Sequence, residues 1–191
     1  MGLFYTGKGD KGESYIGPNK VDKTSLPVHT LGELDELNSL IGVPKAMDVS
    51  DEFRDILHGV QENLFIIQAN VASLMLYDAC SDKNEKIKLP KPPKFSEEKV
   101  KEVEEIIDRF EKEVEPEKGF VISGANEISA NLDYIRAVSR RVERSVLVFS
   151  KSYSLPAEIK AYLNRLSSLF FALARLESKR EDKKEDHPKY K

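Results

Sequence analysis

The chain has 191 residues, 40% of them apolar and 33% charged, with a formal net charge of −3 and a pI near 5.8. That length fits one domain with a sizeable core, because a chain of roughly 150 residues already buries about two-thirds of its unfolded surface. No apolar run approaches the ~20 residues needed to span a bilayer, and the acidic balance argues against a surface-wide field for nucleic acid.

Cysteine occurs once, at Cys80, and no basic-then-apolar leader opens the chain, so the expectation is a cytoplasmic protein without an intrachain disulfide. Lys and Glu are abundant while Gln occurs only at Gln61 and Gln68, a balance more common in proteins from hot environments. The start, Met1-Gly2-Leu3-Phe4-Tyr5-Thr6, matches the loose myristoylation pattern, but no basic patch follows it as a second membrane signal.

Residues 1–26 lack sustained apolar periodicity and read as an irregular segment or short hairpin. Within them, Gly7-Lys8-Gly9-Asp10-Lys11-Gly12 fits the spacing G-x-G-x-x-G, which a dinucleotide-binding fold sets between a strand and a helix. Neither flank fits. Only six residues precede Gly7, and Glu13-Ser14-Tyr15-Ile16-Gly17-Pro18 does not open an amphipathic helix. A Walker loop fails as well, because no Gly-Lys-Ser/Thr triplet closes the motif. What remains is local chemistry. Three glycines let successive N–H groups turn toward one anion, Thr6 and Ser14 offer hydroxyls, and Lys8 and Lys11 offer charge. The loop is therefore either a polyphosphate cradle or a lysine-rich surface turn.

Leu31, Leu34, Leu37 and Ile41 recur at spacings of three and four, predicting a first helix from about 28 to 43 that stops before Pro44. Ser50 suits the N-cap of a longer second helix, with Phe53, Ile56, Leu57, Val60, Leu64, Ile67, Val71 and Leu74 as its apolar stripe. Residues 81–94, which contain Lys88-Leu89-Pro90-Lys91-Pro92-Pro93, read as an extended connector. Ser96 starts a highly charged third helix to about Val114, whose thin apolar side (Val100, Val103, Ile107, Phe110) suits the edge of a bundle.

A second irregular segment, 115–126, holds Pro116, Gly119 and Gly124 around Phe120-Val121-Ile122. In helix four, Ile128, Leu132, Ile135, Val142, Val146 and Phe149 step in heptad fashion, with one skipped turn at Ser139. Helix five begins near Pro156, which suits its first turn, and carries Ile159, Leu163, Leu166, Phe170 and Leu173 inward. Five helices with no convincing strand pair predict an all-α fold, a five-helix antiparallel bundle with an irregular N-terminal nucleotide-binding segment. Its single domain is expected over 1–178, followed by a charged tail, 179–191, expected to be disordered.

Helix four carries Arg136, Arg140 and Arg144 at i, i+4 and i+8 on one face, with Arg141 one step round. Guanidinium groups so placed repel one another and call for anions, either carboxylates of the protein or phosphates of a ligand. Glu143 is the only acid inside the ladder, and Asp35 and Glu36 are natural partners on helix one. A solvated charged face is the plainer alternative, although lysine outnumbers arginine over the chain as a whole and not in this segment. Other chemistries find less support. Only Asp55-x-x-His58 approaches a ferritin-like pattern, and the scattered His29, His58 and His187 read as ordinary polar or packing residues. RNA binding would need aromatics interleaved with the arginines.

Together, Tyr5 to Ser14 (YTGKGDKGES), Gly32 to Ser39 (GELDELNS), Arg136 to Arg144 (RAVSRRVER) and Tyr162 to Ser167 (YLNRLS) resemble the ATP:corrinoid adenosyltransferases of the PduO type. The resemblance runs from about Tyr5 to Arg175. It implies a homotrimer whose sites lie between subunits, with no nucleic acid or membrane partner, a corrinoid reductase as a further partner and no dedicated metal site. It implies transfer of the 5′-deoxyadenosyl group of ATP, held with Mg²⁺, to the cobalt of cob(I)alamin or a related corrinoid, giving adenosylcobalamin and triphosphate. A non-catalytic ATP-sensing bundle is the alternative, and it would release no triphosphate.

Carried over by position, the implied ATP contacts are Tyr5, Thr6, Gly7, Lys8, Gly9, Asp10, Lys11, Gly12, Ser14, Lys23, Arg140, Arg141, Glu143, Arg144 and Asn164. The implied catalytic residues are Asp35, Arg136, Arg140 and Phe120. Asp35 and Arg136 match a pair that joins across the subunit boundary, and Phe120 matches an aromatic against the lower face of the corrinoid. The chain departs from the family at Ser139, where relatives often carry Cys, at Ser168, where they often carry Asp, and at Ala125, where Gly is usual. Val28-His29-Thr30 departs from the acidic-aromatic approach to the first helix.

Overall fold

A computed structural model describes residues 4–17, 19–81, 91–114 and 119–190, with 77–81 described by backbone alone. A hairpin of β1 (Glu13–Ile16) and β2 (Asn19–Asp22) precedes five helices: α1 (Leu26–Lys45), α2 (Asp51–Ser81), α3 (Glu97–Val114), α4 (Glu127–Phe149) and α5 (Ala157–Arg180). The strands pair antiparallel, Glu13 opposite Asp22 and Ile16 opposite Asn19. The expectation of no convincing strand pair is corrected here, because two four-residue strands are too short to show an alternating pattern. Parts of the expected connector (82–90) and of the second irregular segment (115–118), and the extreme start (1–3), lie outside the described residues.

Side-chain contacts fix the helix directions. Gln61 reaches the Asn38 carbonyl, so α2 runs back along α1, and Lys99 and Arg109 reach Asn63 and Glu52, so α3 runs back along α2. Asp133 meets Arg175 and Glu143 meets Asn164, which sets α4 and α5 antiparallel, whereas Glu104–Arg165 and Glu113–Lys179 set α3 and α5 parallel. The bundle therefore alternates up and down through all five helices. One apolar core joins them, with Leu34, Leu37, Leu64, Leu132, Phe149, Leu166 and Phe170 fully buried. Each such side chain contributes roughly 1.5–3 kcal/mol by burial.

The ends differ from expectation for identifiable reasons. Helix α1 takes in Pro44, since a proline in the last turn forfeits a single bond while Ala46 N–H still reaches the Gly42 carbonyl at 3.1 Å. Helix α4 starts at a capping box in which Ser129 N–H donates to Asn126 Oδ1 at 2.7 Å and Asn126 N–H donates to Ser129 Oγ at 3.1 Å. Its stripe does not skip at Ser139, which is buried and satisfies its hydroxyl by donating to the Arg136 carbonyl at 2.8 Å. Pro156 is the N-cap of α5 rather than part of its first turn, and α5 continues to Arg180 because Leu176 and Ser178 remain buried. Beyond it, the Asp186 carbonyl accepts from Ile122 N–H at 2.8 Å, so residues 185–187 lie along the Phe120 segment. Among the described residues, no helix is long and apolar enough to cross a membrane.

Candidate active site

The glycine loop is shaped by conformation at two positions and by close approach at a third. Gly7 (φ +67°) and Gly12 (φ +80°) adopt left-handed backbone that side chains disfavour. A Cβ at Gly9 would lie 2.8 Å from Lys23 Nζ and 3.2 Å from the Glu13 carbonyl oxygen. Two turns link Asp10 N–H to the Gly7 carbonyl (3.4 Å) and Gly12 N–H to the Gly9 carbonyl (3.2 Å). Lys23 closes the loop, donating from its backbone to the Gly12 carbonyl and from Nζ to the Gly9 carbonyl, each at 2.9 Å. Tyr5, Thr6, Lys8, Asp10 and Lys11 are exposed, and Ser14 is half-buried. At the exit of the hairpin, the Asp22 carboxylate accepts from the backbone and the hydroxyl of Thr24, both at 2.7 Å, which holds its pKa below the ordinary value.

The arginines of α4 divide into spent and unspent groups. Arg141 pairs with Glu36 and lies 3.5 Å from Glu33, and the bond to Glu36 raises its pKa further. Arg136 lies 3.6 Å from Asp133 with its buried Nε lacking a hydrogen-bond partner. Arg140 and Arg144 are exposed and form no hydrogen bond or ion pair with any described residue. Glu143, the acid within the ladder, accepts from Asn164 Nδ2 at 2.7 Å. Of the two carboxylates expected from α1, Glu36 serves the ladder and Asp35 does not: Asp35 is exposed and unpaired among the described residues, so it and Arg136 do not meet within one chain.

Arg175, which the motifs did not single out, is buried beside the ladder. It donates to the buried Asp133 at 2.5 Å, and its Nε lies 2.8 Å from Glu185 without hydrogen-bond alignment. With Arg136, Arg140, Ser168 and Phe171 it lines a cavity of about 390 Å³ between α3, α4 and α5. The sign of its importance was available in the sequence, since a lone arginine amid Phe170-Phe171-Ala172-Leu173-Ala174 and Leu176 demands a buried acid. Phe120, 76% exposed, has its carbonyl 3.0 Å from His187 Nδ1.

These parts are strung along the bundle. The loop leads into the start of α1, whereas Phe120 precedes the start of α4, at the opposite end of the antiparallel pair. With 20 residues in α1, the ends stand about 30 Å apart. Arg136 to Arg144 covers about 12 Å of the interval. Among the described residues, no group of three or more His, Cys, Asp or Glu side chains converges to hold a metal ion.

The family model described as cobalamin adenosyltransferase matches residues 4–177. A corrinoid adenosyltransferase of Citrobacter freundii is 35% identical over 93% of this chain and 96% of its own length, and one of Bacillus subtilis is 34% identical over 91% and 85%. The solved structure of a phenylalanine-to-alanine variant of a PduO-type ATP:corrinoid adenosyltransferase from Lactobacillus reuteri, complexed with cobalamin and ATP, superposes with a TM-score of 0.84. It is 26% identical and covers 97% of this chain and 99% of that one. The chain therefore belongs to the cobalamin adenosyltransferase family.

Proposed function

We propose that this protein transfers the 5′-deoxyadenosyl group of ATP to the cobalt of cob(I)alamin or a related corrinoid, releasing triphosphate. The observation that carries this reading is the unspent pair Arg140 and Arg144, two cations that no carboxylate among the described residues neutralises, on the ladder where Glu143 holds Asn164 and Arg141 is paired with Glu36. The glycine loop supplies the second half of an anion site: Thr6, Gly7, Lys8, Gly9, Asp10, Lys11, Gly12 and Ser14, with Tyr5 and Lys23, hold the polyphosphate. Mg²⁺ would enter with it, since this ion keeps most of its waters and needs few protein ligands; the Asp10 carboxylate, with the hydroxyls of Thr6 and Ser14, would hold it, and it would offset the charge of the polyphosphate.

The nucleophile is the reduced corrinoid. Its cobalt attacks the ribose 5′ carbon, the carbon–oxygen bond to the triphosphate breaks, and that anion leaves. The protein need only align the reactants and stabilise the leaving charge, which Arg140 and the loop do. Phe120 sets an apolar ring where water would otherwise coordinate cobalt from below, so that cobalt(II) is reduced more readily by a separate reductase.

The site is shared between copies of a homotrimer. Two observations support this: Asp35 is exposed and unpaired among the described residues, and the loop and Phe120 adjoin opposite ends of the antiparallel α1 and α4, ends that a 20-residue helix sets about 30 Å apart. Asp35 of one copy then pairs with Arg136 of the next. The single cysteine favours action in the cytoplasm. Anaerobic incubation with ATP, Mg²⁺ and cob(I)alamin tests the function: growth of the cobalt–carbon absorbance with release of triphosphate supports it, and release of ADP, or nucleotide binding without reaction, opposes it.

A further inference from the structure

The side-chain amide of Asn164 is gripped from both sides. Its Oδ1 accepts from Arg165 at 2.6 Å, while its Nδ2 donates to Glu143 Oε1 at 2.7 Å. Arg165 is in turn held from α3, where its Nε donates to Glu104 Oε1 at 2.7 Å. The row Glu104–Arg165–Asn164–Glu143 thus crosses three helices and ends on the arginine ladder.

We propose that Arg165 and Glu104 are positioning residues of the nucleotide site, acting through Asn164 and resting on the reading that Asn164 contacts ATP. An amide has two N–H groups and two acceptor positions on its oxygen. A free asparagine rotates about its last bond and can present either edge. Here the cation at Oδ1 and the carboxylate at Nδ2 permit one orientation, the other setting the NH₂ against a guanidinium and the oxygen against a carboxylate. The guanidinium also draws electron density through the amide, which strengthens the remaining N–H as a donor. Asn164 therefore meets an acceptor atom of the nucleotide with a fixed, polarised donor.

Stability does not account for the row. The side chains of Arg165 and Glu104 are 40% and 41% exposed, and ion pairs in such positions contribute little to folding. Neither residue lies on the helix face that carries the ladder. Their placement bears on Asn164, which Arg165 touches directly.

Calorimetric binding of Mg-ATP to the full-length protein tests this with a double-mutant cycle. Arg165→Ala should weaken ATP by about tenfold with little change in Tm. In an Asn164→Ala background the same substitution should have no further effect. Glu104→Gln, which leaves Asn164 and Arg165 in place, should weaken ATP by about threefold and should likewise fall silent without Asn164. Arg165→Lys should recover part of the loss. An equal effect of Arg165→Ala in both backgrounds, or unchanged affinity in Arg165→Ala and Glu104→Gln, overturns the proposal. If Asn164→Ala alone binds ATP normally while the wild type adenosylates cobalamin, the positioning role falls and the enzyme reading stands. If the wild type binds no ATP, both fall.

Discussion

Lys23 Nζ donates to the Gly9 carbonyl at 2.9 Å, and a Cβ at position 9 would come within 2.8 Å of that same nitrogen. The lysine thus braces the loop from the end of the hairpin by a contact that only glycine permits. It adds a charge to a loop otherwise shaped by the turns Gly7–Asp10 and Gly9–Gly12. The glycines consequently differ in kind: Gly7 and Gly12 are required by positive φ, Gly9 by space.

Gly9→Ala should therefore displace the end of a flexible lysine without unfolding the hairpin. The expected result is a loss of ATP affinity of about tenfold, on the order of 1.4 kcal/mol, with a Tm close to wild type. Titration calorimetry and a thermal melt on the same sample check both parts.

The division of the ladder predicts opposite outcomes for adjacent residues. Arg140→Ala removes an unpaired cation, so folding should be unaffected while ATP binding weakens by at least about tenfold. Arg141→Ala breaks the pair with Glu36 and the contact with Glu33, and should cost up to about 1 kcal/mol of stability. Denaturant melts beside ATP titrations separate the two.

Phe120→Ala should leave stability within about 0.5 kcal/mol, because the ring is 76% exposed and packs into no core. ATP affinity should also hold. Adenosylation that begins from cob(II)alamin with a reductant should fall sharply, whereas the reaction of pre-formed cob(I)alamin should fall less. Comparing the two rates checks the assignment.

Burial raises the pKa of Glu177, on the inner side of α5. A carboxyl raised in the folded state costs nothing below its unfolded pKa, and stability is then lost as pH climbs from there through the folded value. Glu177→Gln should accordingly raise Tm at neutral pH by about 2 °C, and the gain should vanish near pH ~4. Melts across that range give the test.

Most of the bundle was legible because helix period and burial coincide: the expected stripes of α4 and α5 are all buried. Less of the site was legible. Spacing put four arginines on one helix, but which of them are neutralised depends on carboxylates across the α1 contact. Asp35 and Glu36 differ there by only one step of the helix, about 100°. Glu36 faces Arg141 and Asp35 faces away, a choice that three-dimensional packing makes. Ser139 shows the same limit in the core, since a polar residue that bonds its own helix breaks an apolar pattern without breaking the packing.

In the proposed reaction carbon 5′ of ATP becomes bonded to cobalt. A single turnover with ATP carrying carbon-13 at the 5′ position, followed anaerobically by NMR with cob(I)alamin and Mg²⁺, reads that bond directly. The label should move to a cobalt-bound methylene with one triphosphate released per transfer. Label that remains in ATP, ADP or AMP would rule that transfer out.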